Sequence, residues 1–181
     1  MNSKDHITSY IPYLLAIYGM IAIGIFSEHY SGFFSSIGLD ESSMMTIFAI
    51  MYVVALVYCY ILQYQVWRYV IVHLQNNEIL PSVDTPGKAI GYQFIPFYNL
   101  YWVFTAYGKF AVDFNKLAER VGSQAHLSRS LGMTIAVMLI LNIIPIINII
   151  PFVLINFVLM PIFLIKSVNR CNELKEIEVV S

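Results

Sequence analysis

Long uncharged stretches separated by short polar punctuation run through this chain. Residues 10–26 form an uncharged run of 17 residues, roughly 25 Å as helix and enough for a thin membrane span. A polar connector at 27–43 holds Glu28, Asp40 and Glu41 but no Lys or Arg, and Ser42 or Ser43 is placed to cap the next helix. Residues 44–67 carry no charge, and the helix they predict continues through Arg68 to Gln75. Trp67-Arg68-Tyr69 places rings and a guanidinium where a headgroup layer would lie.

After the polar turn Asn76-Asn77-Glu78, Thr85 and Pro86 mark a helix start, with Thr85 as N-cap and Pro86 at the first helical position. Only about nine residues then pass before Pro96, roughly 14 Å of helix, or half a bilayer. The helix resumes after Asn99 and becomes amphipathic beyond Gly108. Phe110, Phe114, Leu117 and Val121 share one face, Lys109, Asp113, Lys116 and Arg120 another, and Gly122 stands at the end. The uncharged stretch 131–165 is 35 residues, roughly 52 Å as one helix against a hydrocarbon core of about 30 Å. Asn142, Pro145, Asn148 and Pro151 cluster in its first part, where a turn back is expected.

One phrase occurs twice inside these stretches: Ile95-Pro96-Phe97-Tyr98-Asn99 and Ile144-Pro145-Ile146-Ile147-Asn148. Proline removes a backbone donor and clashes with the preceding turn, so Pro96, Pro145 and Pro151 are predicted helix breaks. Each phrase is followed by Asn-basic-x-x-Glu, at Asn115-Lys116-Leu117-Ala118-Glu119 and Asn169-Arg170-Cys171-Asn172-Glu173. The reading is an all-α polytopic membrane bundle: a helical pair in 1–80, a first repeat in 81–127, and a second repeat with a tail in 128–181.

Charge placement separates two topologies. If both phrases are hairpin apices, all ten basic residues fall on one side: Lys4, Arg68, Lys88, Lys109, Lys116, Arg120, Arg129, Lys166, Arg170 and Lys175. The connector 27–43, which has none, is then left outside, as the positive-inside rule requires, with both termini cytoplasmic. If residues 89–112 were one simple span, Lys116, Arg120 and Arg129 would lie outside. The hairpin arrangement is therefore preferred over four spans with a kinked third and an overlong fourth. The apolar run Tyr10 to Phe26 leads into Ser27-Glu28-His29 without a small-x-small cleavage site and reads as a retained first helix.

Composition agrees. The chain is 59% hydrophobic and 12% charged, about half the charge fraction of a soluble domain. A net charge of −1 argues against a nucleic-acid partner. Cys59 and Cys171 match neither a metal spacing nor a disulfide framework, His6 and His29 are isolated, and no metal or cofactor is expected.

Residues 86–102 resemble a signature of uncharacterised bacterial four-helix membrane proteins, reading roughly PG-x-A-x-G-x-x-F-[IV]-P-x-x-N-x-x-W. Some of those proteins carry an attached GYF-like domain, which is absent here. The resemblance implies a bacterial inner-membrane protein and supplies no catalytic residues. Asn99 and Asn148 stand where outgoing helices would offer free donors to a ligand or permeant, with Asn142 and Asn156 available to the same polar cluster. The alternative is that these amides cap helices or bond to one another. Arg68 to His73 and Arg120 to His126 are similar to the Arg–His pattern of HEPN ribonucleases, but Tyr69 and Val121 replace the polar residue that follows the Arg there.

The function expected is a non-enzymatic membrane protein that self-associates into homo-oligomers and forms a permeation path or perturbs the bilayer. The alternative is a scaffold that recruits a cytoplasmic partner through Asp113, Lys116, Glu119 and Arg120.

Overall fold

A computed structural model describes residues 7–29, 35, 36, 38 and 40–180. Lys4, His6 and part of the connector 27–43 lie outside them. The described residues are helical and contain no strand. The helices are α1 (Ile11–His29), α2 (Glu41–Asn76), α3 (Pro86–Gly91), α4 (Tyr98–Val103), α5 (Phe110–Arg120), α6 (Arg129–Leu141), α7 (Ile149–Leu154) and α8 (Met160–Val180). A 3₁₀ turn, Tyr92–Phe94, extends α3, and π-helical segments Phe104–Lys109 and Ile155–Leu159 join α4 to α5 and α7 to α8. Two helical stretches, Ser42–Asn76 and Ile149–Ile177, are long and apolar enough to cross a membrane. Their most apolar windows are only 17% and 33% buried, whereas the core helix of a soluble protein would be mostly buried.

The chain forms two units, Ser9–Tyr60 and Met1–Thr8 with Ile61–Ser181. In the first, α1 and the early part of α2 are antiparallel. A Cβ on Gly19 would touch Met51, one on Gly24 would touch Phe48, and Tyr58 Oη donates to the Ser9 carbonyl at 2.9 Å. Asp40, rather than Ser42 or Ser43, caps α2: its Oδ1 accepts from the Ser43 amide at 2.9 Å. A carboxylate suits this position because it meets free donors at the positive end of the helix. Hydrogen bonds from Ser43 hold its carboxyl below the usual carboxylate range.

In the second unit the chain doubles back twice. Thr85 caps α3 through the Lys88 amide, and Pro86 starts it. The helix stops at Phe94, and residues 95–97 reverse the direction. Tyr98 N donates to the Pro96 carbonyl at 2.7 Å and Asn99 N to that of Ile95 at 2.9 Å. Trp102 on the outgoing arm then lies against Ala89 on the incoming one, 3.0 Å from indole Nε1 to carbonyl. The second reversal occupies residues 142–148, which divides the 35-residue uncharged stretch. Pro151 does not break a helix. It sits in the first turn of α7, where its missing N–H costs nothing.

Both hairpins share one plan. Each apex leads into a six-residue helix, α4 or α7, then a π segment, then a longer helix. Positions 110–120 and 160–170 repeat the same order of buried and exposed residues at all but one step. The structural offset is thus 50 in these helices, not the 54 that separates the two Asn-basic-x-x-Glu phrases. Asn115 accepts from Leu127 N at 2.8 Å and donates to its carbonyl at 3.0 Å, while Asn169 is exposed. These phrases are not equivalent.

The hairpins meet where α6 crosses the first π segment. A Cβ built on Gly132 would stand 2.3 Å from the Tyr107 carbonyl oxygen, and one on Gly108 would stand 2.6 Å from Met133 Sδ. The first obstacle is backbone, the second a flexible thioether. Gly132→Ala should therefore destabilise the protein by on the order of 1–3 kcal/mol, as overpacking does, and Gly108→Ala by less. Thermal midpoints of the purified variants measure this; equal effects at both positions would contradict the backbone contact.

Candidate functional site

The second unit buries few polar side chains, and two glutamines and a tyrosine among them lie together. Gln63 on α2 is 2% exposed, Gln93 in the 3₁₀ turn 7% and Tyr107 in the π segment 2%. Gln93 Nε2 donates to Gln63 Oε1 at 3.4 Å and to the Ala89 carbonyl at 3.2 Å, while its Oε1 accepts from Tyr107 Oη at 3.2 Å. Gln63 Nε2 also points at Met160 Sδ, 4.0 Å away, which brings α8 into the cluster.

Local structure explains the partners. Ala89 lies among the last four residues of α3, whose carbonyls have no intrahelical donor. Its oxygen takes both the Gln93 amide and the Trp102 indole. A π segment likewise releases a carbonyl from the regular ladder. Trp67, 1% exposed, donates its Nε1 to Ala106 O at 3.2 Å and packs edge-on against Phe110 with centroids 5.1 Å apart. Phe163 continues this aromatic layer against both Tyr107 and Phe110.

Asn99, Asn142, Asn148 and Asn156 do not form the expected cluster: no side-chain hydrogen bond joins any of them to another among the described residues. Asn99 lies one residue inside α4 rather than at its cap. Phe97 occupies the N-cap with φ 62°, and Asn99 Oδ1 is buried without a partner. Asn148 is the N-cap of α7 but makes no side-chain cap bond. Asn142 ends α6, and Asn156 donates to the Phe152 carbonyl at 2.8 Å inside the second π segment.

Asp113 leaves the proposed docking surface altogether. It is fully buried, and its carboxylate accepts from Ser82 N at 2.7 Å and Ser82 Oγ at 2.8 Å, with Lys116 Nζ 3.5 Å away. The carboxylate thus fastens the linker before α3 onto α5. Lys116, Glu119 and Arg120 remain exposed. Of the two histidines, His73 places Nδ1 2.7 Å from the Tyr69 carbonyl, and His126 is exposed. Among the described residues, no group of His, Cys, Asp and Glu could hold a metal.

No family model, curated protein or solved structure matches this chain. Residues 86–102 have local structural roles of their own. Pro86 starts the incoming arm, Pro96 lies at its reversal, and the Ala89 carbonyl receives the Trp102 indole that closes the hairpin.

Sequence reasoning passed over Gln63, Gln93 and Tyr107. The available signal was two glutamines in otherwise apolar helices, where an amide needs a partner. Tyr107→Phe and Gln93→Leu should each cost about 1–3 kcal/mol of stability. The double variant should show a coupling of about 0.5 kcal/mol or more. Strict additivity in thermal or denaturant unfolding would count against a shared network.

Proposed function

We propose that this is a non-enzymatic integral membrane protein whose two hairpins re-enter the bilayer from one side and perturb it. The observation that carries the reading is the pair of apices. Phe97 is 87% exposed and Ile146 is 93% exposed, and each directly follows the proline of its phrase. Ile143, Ile149 and Ile150 extend the second tip as exposed apolar surface. Water would meet this surface at high cost, while hydrocarbon accepts it.

Depth supports re-entry over crossing. Gln93 bonds to Gln63, five residues before the first charge that ends the uncharged stretch of α2, Arg68. That is about 7.5 Å along an α-helix, and the remaining 3₁₀ step to Phe94 with the extended backbone through Ile95 to Pro96 brings the apex about 16 Å from Arg68. A hydrocarbon core is about 30 Å thick, so the tip reaches its middle. The ends of the arms also gather together: Ser82 bonds Asp113, and Leu127 bonds Asn115. On this reading nearly all the basic residues lie on the cytoplasmic side of a bacterial inner membrane.

A wedge loading one leaflet fits better than a pore through one copy, because the buried amides and Tyr107 are occupied with one another. A permeation path would require self-association, with the tips of several copies facing inward.

The test uses single cysteines at the tips, Phe97→Cys and Ile146→Cys, in a background with the buried Cys59 and Cys171 replaced by Ala. Bimane on either tip should be quenched most strongly by lipids brominated near the chain ends, and Lys109→Cys by a quencher near the headgroups. Aqueous quenching at either tip, or reaction with an impermeant thiol reagent from the periplasmic face, would refute re-entry. In reconstituted vesicles, Phe97→Ser with Ile146→Ser should reduce remodelling. Ion flux through isolated oligomers would instead favour the path.

A further inference from the structure

The aromatic layer Trp67–Phe110–Phe163 puts residues from three helices at one level of the second unit. Arg68 follows Trp67, Lys109 precedes Phe110, and Lys166 lies one turn beyond Phe163. A fourth cation joins them from α6. Gly132 sits on the Tyr107 carbonyl, and Arg129 is one turn earlier on a helix running the opposite way. It therefore stands near the level of Phe110. Four cations from four elements thus share a level within about one helical turn, or about 5 Å.

They also differ in electrostatic state from Lys88, Lys116 and Arg170. Among the described residues no carboxylate lies within ion-pair distance of Arg68, Lys109, Arg129 or Lys166. Farther along the chain, Lys88 pairs with Asp84 at 2.6 Å, Lys116 with Asp113 at 3.5 Å and Arg170 with Glu173 at 2.6 Å. Lys109, Arg129 and Lys166 are exposed and Arg68 is half-buried. Immediately on the apex side the surface becomes apolar. A cation at such a boundary, with no counter-charge among the described residues, is complementary to an external phosphate.

We propose that these four residues form a belt that binds the headgroups of anionic phospholipids in the leaflet the hairpins enter. The inference rests on the membrane reading above and adds a lipid class to it. Phosphatidylglycerol supplies the phosphate diester, and its acyl chains cover the apolar surface beside the belt. A zwitterionic lipid brings its own ammonium to the same phosphate and so gains less.

Native mass spectrometry of the full chain from micelles holding equal phosphatidylglycerol and phosphatidylcholine measures the preference. Each cation near an anionic surface is worth about fivefold in association. Wild type should retain phosphatidylglycerol at least tenfold over phosphatidylcholine, and R68Q/K109Q/R129Q/K166Q should retain both alike. K116Q/R170Q, which removes cations already paired with acids, should keep the preference. Should the quadruple variant misfold, K109Q and K166Q at exposed positions should each lower it severalfold. Equal retention by wild type, an undiminished preference in the belt variants, or displacement of the lipid by millimolar inorganic phosphate would overturn the proposal. A chain that stays in solution without detergent or lipid would instead overturn the membrane reading itself.

Discussion

A backbone carbonyl that leaves its helical ladder and is then buried must find another donor. The second unit is organised around two such carbonyls. Ala89 O, at the end of α3, takes the Trp102 indole and the Gln93 amide, which closes the first hairpin arm against arm. Ala106 O, in the π segment, takes the Trp67 indole, which fastens the hairpin to α2. One residue on, Tyr107 turns its own carbonyl towards Gly132, and α6 approaches so closely that no side chain fits between. Two indoles and one glycine thus locate the first hairpin relative to α2 and α6. In an apolar surrounding this requirement is stricter, because water cannot serve as the missing donor.

The second hairpin reaches the same shape by another route. Its π segment ends just before Pro161, whose ring excludes the carbonyl four residues earlier from a regular ladder. The first hairpin has Ala111 at the corresponding place, at an offset of 50. There, the indole of Trp67 and the crossing of α6 accompany the same distortion. One irregularity is associated with a proline and the other with packing, which explains why the two stretches look so little alike in sequence.

Much of the plan was legible where a residue's own covalent chemistry dictates the backbone. Thr85 with Pro86 at the start of α3, Gly122 with φ 71° after α5, and the two proline phrases all mark the ends they occupy. What was not legible depends on which surfaces meet. Asp113 looks solvent-facing by helical period, yet Ser82, 31 residues away, brings two donors and encloses it. Gln93 looks like one polar residue in an apolar arm until Gln63, Tyr107 and Ala89 are placed around it. The Asn-basic-x-x-Glu phrases misled for the opposite reason. Their likeness is local, and the register of burial that defines the repeat passes through Phe110 and Met160 instead.

The asparagines of the two proline phrases and of the second π segment behave differently from these glutamines. Gln93 has the extra methylene that lets its amide reach both its own helix and a neighbour. Asn156 donates to the Phe152 carbonyl one turn back in its own helix, and Asn99 leaves Oδ1 buried and unbonded beside the first apex. The bonded polar groups of the first hairpin, Gln93, Trp102 and Tyr107, act as fasteners that hold a fixed shape. On the proposed reading of the hairpins as a wedge, a fixed shape is what is required. Its apolar tip would have to stay presented while the arms resist the lateral pressure of lipid, and the hydrogen bonds from Trp102 to Ala89 and from Tyr107 to Gln93 brace those arms across the hairpin.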